Sequence, residues 1–136
     1  MLEQESIQSR GFRNVFQGED ITGFQVPIRS MYYRDLWLSQ LRPVTVVVDG
    51  EKFEGDQITW TINGKTYIQS NLEYHSDVNW SIQAPAILTI NKPGGLELGV
   101  HVVEVLYTYS ASYMPPALDE MFGKRTQNKR KIVLVR

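Results

Sequence analysis

The chain has 136 residues, 42% of them apolar and 21% charged, with a formal net charge of −1 and no cysteine. That balance suits one folded domain rather than a disordered chain. The near-zero charge argues against a nucleic-acid partner, and the lack of thiols excludes disulfides, a cysteine nucleophile and a thiolate zinc site.

The opening segment, residues 1–12, is acidic early and lacks the basic and apolar regions of a secretory signal. No stretch reaches the roughly 20 apolar residues that span a bilayer. The expectation is a cytoplasmic protein with no membrane partner, in which the sequon Asn79-Trp80-Ser81 has no role.

Apolar residues recur with period two, the mark of a strand with one buried face. Phe24, Val26 and Ile28 alternate with Gln25, Pro27 and Arg29. Next comes the aromatic group Tyr32-Tyr33-Arg34-Asp35-Leu36-Trp37, whose residue types serve in cores, in protein interfaces and as sugar-stacking platforms. Val44, Val46 and Val48 then alternate up to the turn signal Asp49-Gly50. Ile58 to Ile62, Asn63-Gly64 and Thr66 to Ile68 spell a hairpin with a type I′ turn.

Glu73, His75 and Asp77 would share one side of an extended segment, too spread to chelate a metal without further ligands. Ala86 to Ile90 reads as a strand closed by Lys92-Pro93-Gly94-Gly95. A long strand is expected from Val100 to Tyr113, with His101, Val103, Val105, Tyr107, Tyr109, Ala111 and Tyr113 on its more apolar face. The segment Met114 to Lys131 reads as a long adhesive loop, carrying two Met, Phe122 and five basic residues, before a short last strand from Ile132 to Val135. No window keeps a helical stripe, and no repeat or linker divides the chain. The predicted class is all-β: a single-domain, two-sheet antiparallel β-sandwich over residues 1–136.

Catalytic chemistry is thinly supplied. There are two histidines, and His101 reads as a hydrogen-bonded core or edge residue. No nucleophile elbow, phosphate loop or dinucleotide fingerprint occurs, and nothing singles out an acid pair among the 15 carboxylates. No catalytic and no metal-ligating residue is assigned to this chain. The candidate partner surface comprises Tyr32, Tyr33, Arg34, Trp37, Tyr113, Met114, Met121 and Phe122, the aromatic, Met and Arg types enriched at interfaces.

Five stretches resemble, in order, the β subunits of bacterial C-glycoside deglycosidases: Thr22-Gly23-Phe24-Gln25-Val26, Tyr32-Tyr33-Arg34, Val46-Val47-Val48-Asp49-Gly50, Asn91-Lys92-Pro93-Gly94-Gly95-Leu96 and Ser112-Tyr113-Met114-Pro115. The resemblance implies a β-sandwich subunit bound to a larger barrel-type α subunit that carries a divalent metal, Mn²⁺, and the general base. It further implies elimination of a phenolic or flavonoid aglycone from a 3-oxo-glucoside, a carbon-carbon lyase reaction in which this chain is not active alone. The alternative from the residues themselves is a stand-alone carbohydrate-binding sandwich stacking sugar on Tyr32, Tyr33 and Trp37.

Overall fold

The computed structural model describes residues 2–30, 36–41, 44–75, 77–81, 83–109 and 124–134. These residues form strands and short 3-10 turns, with no α-helix among them. Strands β1 (Arg13–Gln17), β2 (Asp20–Ile28), β6 (Ile58–Ile62), β7 (Lys65–Ile68) and β9 (Ala86–Asn91) make a five-stranded sheet in the order β1-β2-β9-β6-β7. Strands β4 (Thr45–Val48), β5 (Glu51–Phe53), β10 (Gly99–Tyr109) and β11 (Lys124–Leu134) make a second sheet in the order β11-β10-β4-β5. All pairings are antiparallel.

The period-two pattern becomes the core. Phe24, Val26 and Ile28 of β2, Ile58, Trp60 and Ile62 of β6, and Ala86, Leu88 and Ile90 of β9 are buried on one side. Val46, Val48, Val103, Val105, Ile132 and Leu134 of the second sheet are buried in the same cluster. Phe24 and Phe53 meet edge to face across the two layers at 5.4 Å, a geometry in which a ring edge faces a π cloud.

Both predicted hairpin turns form. Asp49 and Gly50 take φ of 50° and 89°, and Asn63 and Gly64 take 55° and 79°. Positive φ at both central residues matches the right-handed twist of the flanking strands, which is why Asn-Gly and Asp-Gly recur there.

Three features depart from the sequence reading. A third, two-stranded sheet pairs β3 (Leu36–Trp37) with β8 (Asn79–Trp80). The segment Gln69–Tyr74 coils into a 3-10 turn, so the extended row of Glu73, His75 and Asp77 does not form. The expected loop Met114 to Lys131 is also corrected: Lys124 to Lys131 belong to β11, which pairs β10 from Gly99↔Leu134 to Tyr109↔Lys124. Hydrophobic periodicity cannot register this strand, because most of its side chains are polar. It is an edge strand, where the exposed Lys129 and Lys131 discourage pairing with a foreign edge.

Candidate functional site

Asp49 and His101 are both shifted from their ordinary pKa values, and both lie at the β11-β10-β4-β5 sheet. Asp49, in the β4–β5 turn, directs Oδ2 to His101 Nδ1 at 2.6 Å, while its Oδ1 accepts the Val102 N–H at 2.8 Å. His101, at the start of β10, has Nε2 at 2.6 Å from the Glu97 carbonyl oxygen. A carbonyl can only accept, so Nε2 carries a proton; facing an ionised carboxylate, Nδ1 carries one too, and the ring is an imidazolium. Burial opposes that charge, but the Glu97 carbonyl and the Asp49 carboxylate outweigh it and raise the His101 pKa above its ordinary value. The Val102 N–H, then the His101 hydrogen bond, hold Asp49 below the usual carboxylate range. Both ring nitrogens of His101 are thus engaged, and Phe12 stands edge-on to the ring at 6.2 Å.

A second cluster joins β11 to the N-terminal segment. Arg130, one of the basic residues assigned to a loop on sequence, stands on β11 and donates from Nη1 to the Ile7 carbonyl at 2.8 Å. Its Nη2 lies 2.9 Å from Glu3 Oε1. Glu3 also accepts from the Ser9 hydroxyl and the N–H groups of Ser9 and Arg10. Burial raises its pKa, yet these hydrogen bonds prevail and bring it down to about 2. The N-terminal segment, joined to β2 by the Ile7–Ile28 bridge, is thereby clamped over the gap between the sheets. A cleft of about 340 Å³ remains between residues 4–7 and 128–130.

Trp37 is the candidate interface residue that the structure places. Its β3 partner is Asn79, its neighbour Leu36 is fully buried, and Trp37 itself is 44% exposed. Behind it, Trp80 meets Trp60 edge to face at 5.7 Å. Gln69 locks this cluster: its Oε1 accepts from Trp60 Nε1 at 2.9 Å and Val44 N–H at 3.0 Å, and its Nε2 donates to the carbonyls of Val44 and Gly55, both at 3.1 Å. Sequence reasoning passed over Gln69, since one Gln after a strand carries no signal of burial. Tyr32, Tyr33, Arg34, Tyr113, Met114, Met121 and Phe122 lie outside the described residues.

Among the described residues no three His, Asp or Glu side chains lie close enough to hold a metal. His75, the other histidine, packs against the Tyr67 ring at 4.7 Å.

Three of the five stretches that carry the family resemblance lie among the described residues and occupy positions the fold needs. A Cβ on Gly23 would overlap the Ile90 carbonyl, and one on Gly95 would come within 2.5 Å of Asn14 Oδ1. Asn14 in turn exchanges two hydrogen bonds with the Leu96 backbone, at 2.8 and 2.9 Å. Asp49 is both turn residue and histidine partner. No helix among the described residues is long and apolar enough to cross a membrane.

The family model described as "C-glycoside deglycosidase beta subunit" matches residues 2–113. A C-glycoside deglycosidase beta subunit of Eubacterium cellulosolvens is 44% identical over 120 residues, covering 88% of this chain and 82% of its own. That of Arthrobacter globiformis is 28% identical over 126 residues, covering 89% and 96%. A 3'-dehydrocarminate deglycosidase beta subunit from a Microbacterium species is 28% identical over 112 residues, covering 82% and 83%. Matched along most of its length by the family model and by these relatives, the chain belongs to the C-glycoside deglycosidase β-subunit family.

Proposed function

We propose that this chain is the non-catalytic subunit of a cytoplasmic deglycosidase complex, and that it supports a larger, barrel-type α subunit acting on 3-oxo-glucosides of phenolic or flavonoid aglycones. The observation that carries this reading is the match to a β-subunit family along residues 2–113. It is supported by the hydrogen bonding of three titratable groups: His101 and Asp49 engage each other and the backbone, and Glu3 pairs with Arg130.

The reaction proposed for the complex is an elimination. A ketone at C3 acidifies the C2 proton; a base removes it, the C1–aglycone bond breaks as the C1–C2 double bond forms, and the aglycone takes up a proton. The base, and the divalent metal expected with it, are assigned to the α subunit. This chain, residues 1–136 as one domain, would hold that subunit through Trp37 together with Tyr32, Tyr33, Arg34, Tyr113, Met114, Met121 and Phe122.

The test is reconstitution. The purified chain, supplied with Mn²⁺ and a 3-oxo-C-glucoside, should give no turnover, the α subunit alone little, and the two together full activity. Turnover by this chain alone would overturn the reading. Specific binding of free sugar in the absence of the α subunit would favour the carbohydrate-binding alternative.

A further inference from the structure

The two sheets treat water differently. In the five-stranded sheet, outward positions are mainly polar, with Gln25 on β2, Thr89 on β9, Thr59 and Thr61 on β6, and Thr66 on β7, although Ile87 on β9 and Ile68 on β7, 47% exposed, are apolar. That is the ordinary pattern of an antiparallel sheet with one solvated face.

The β11-β10-β4-β5 sheet breaks it. With Val46, Val48, Val103 and Val105 facing the core, the alternate residues Val47, Val100, Val102, Glu104 and Leu106 face out. Val133 of β11 stands opposite Val100 on the same face. Val100 is 56% exposed, Val133 53%, and Leu98, just before β10, 65%. The same register sets Lys131 opposite Val102, Lys129 opposite Glu104, and Lys52 opposite Val47. The result is an aliphatic face around Glu104 with lysines at its border, of which Lys52 pairs with Glu54 at 3.6 Å and Lys129 stands opposite Glu104.

We infer that the outer face of the β11-β10-β4-β5 sheet is the docking face for the larger subunit of the complex, and that it receives an aliphatic patch bordered by Asp and Glu. The inference rests on the subunit reading above and extends it to a surface that reading did not include. A sheet apolar on both sides is one whose second side is covered, because exposed contiguous apolar patches mark association sites. The family selects the occupant: a β subunit implies a different partner subunit, and the lysines at the border of this face suit carboxylates on it.

The experiment measures binding of the full chain to the co-expressed larger subunit of the same organism's deglycosidase, by calorimetry and size exclusion. Val100→Asp and Val133→Asp place a carboxylate on this face at positions more than half exposed, so the thermal unfolding midpoint should stay near wild type. Each should weaken binding at least about thirtyfold. Lys129→Glu with Lys131→Glu, which disturbs no apolar packing, should slow association about tenfold at low salt and flatten its salt dependence.

Failure of the wild-type chain to bind the larger subunit would overturn the subunit reading and this inference together. Wild-type binding with all variants within threefold would overturn the docking face alone. Variants that lose self-association while keeping the larger subunit would assign the face to a second copy and likewise overturn it.

Discussion

Gln69→Met tests the tie beneath Trp37. The methionine side chain matches glutamine in length and volume, so packing changes little, and the loss is confined to hydrogen bonding. Gln69 is 4% exposed and satisfies two donors, Trp60 Nε1–H and Val44 N–H, as well as the carbonyls of Val44 and Gly55. Methionine satisfies none of these groups well. Each buried N–H left unpaired costs about 1–3 kcal/mol, so the two donors together predict a loss of about 2–6 kcal/mol. For a chain of 136 residues, an unfolding entropy of about 2.1 cal/mol/K per residue makes each kcal/mol worth about 3–4 °C in Tm. Urea unfolding followed by tryptophan fluorescence should show a lower midpoint with an unchanged m value. Because Trp60 backs Trp80 and Trp80 pairs Leu36, the variant should also weaken assembly through Trp37. A loss below about 1 kcal/mol would refute the claim that these buried donors depend on Gln69.

Gly64→Val should destabilise by about 1 kcal/mol or more, since φ of 79° disfavours a β-branched residue even in the open space around that Cα; an unchanged urea midpoint would count against the turn. Asp49→Asn should flatten the pH profile of stability. A raised His101 pKa means stabilisation present below the unfolded value of 6.5 and lost as pH rises through the folded value. A lowered Asp49 pKa means stabilisation present above 3.8 and lost as pH falls below it, so the wild-type pair is fully formed between those two values. An NMR titration placing His101 at or below 6.5 would contradict the imidazolium assignment. Arg130→Ala should release the N-terminal segment at a loss of about 1–2 kcal/mol and expose Arg10 and Arg13 to trypsin. Because Glu3 titrates near 2 when folded against 4.5 unfolded, the contribution of its ion pair should fade as pH falls through that interval; equal stability of variant and wild type at neutral pH would discount the clamp.

Local chemistry already determined the hairpins and most of the core. Asn63-Gly64 and Asp49-Gly50 are legible because positive φ is a property of two residues and their strand twist, with no distant partner needed. Phe24, Val26 and Ile28 are likewise legible, since period-two alternation faces one side whatever it packs against. Ordered short motifs such as Gly23, Asp49-Gly50 and Gly94-Gly95 also revealed the family, and the structure shows each meeting a backbone constraint. Tertiary structure alone decided the rest. The polar strand β11 exists because β10 supplies a full ladder of partners, a long-range fact that periodicity cannot encode. His101 becomes an imidazolium only when Asp49, 52 residues away, meets one ring nitrogen and the Glu97 carbonyl the other. Arg130 turns from a loop cation into a clamp when Glu3 and Ile7 arrive from the far end of the chain. The outward valines of β4 and β10 read as ordinary strand residues until the register shows that they share a face with Val133 and three lysines.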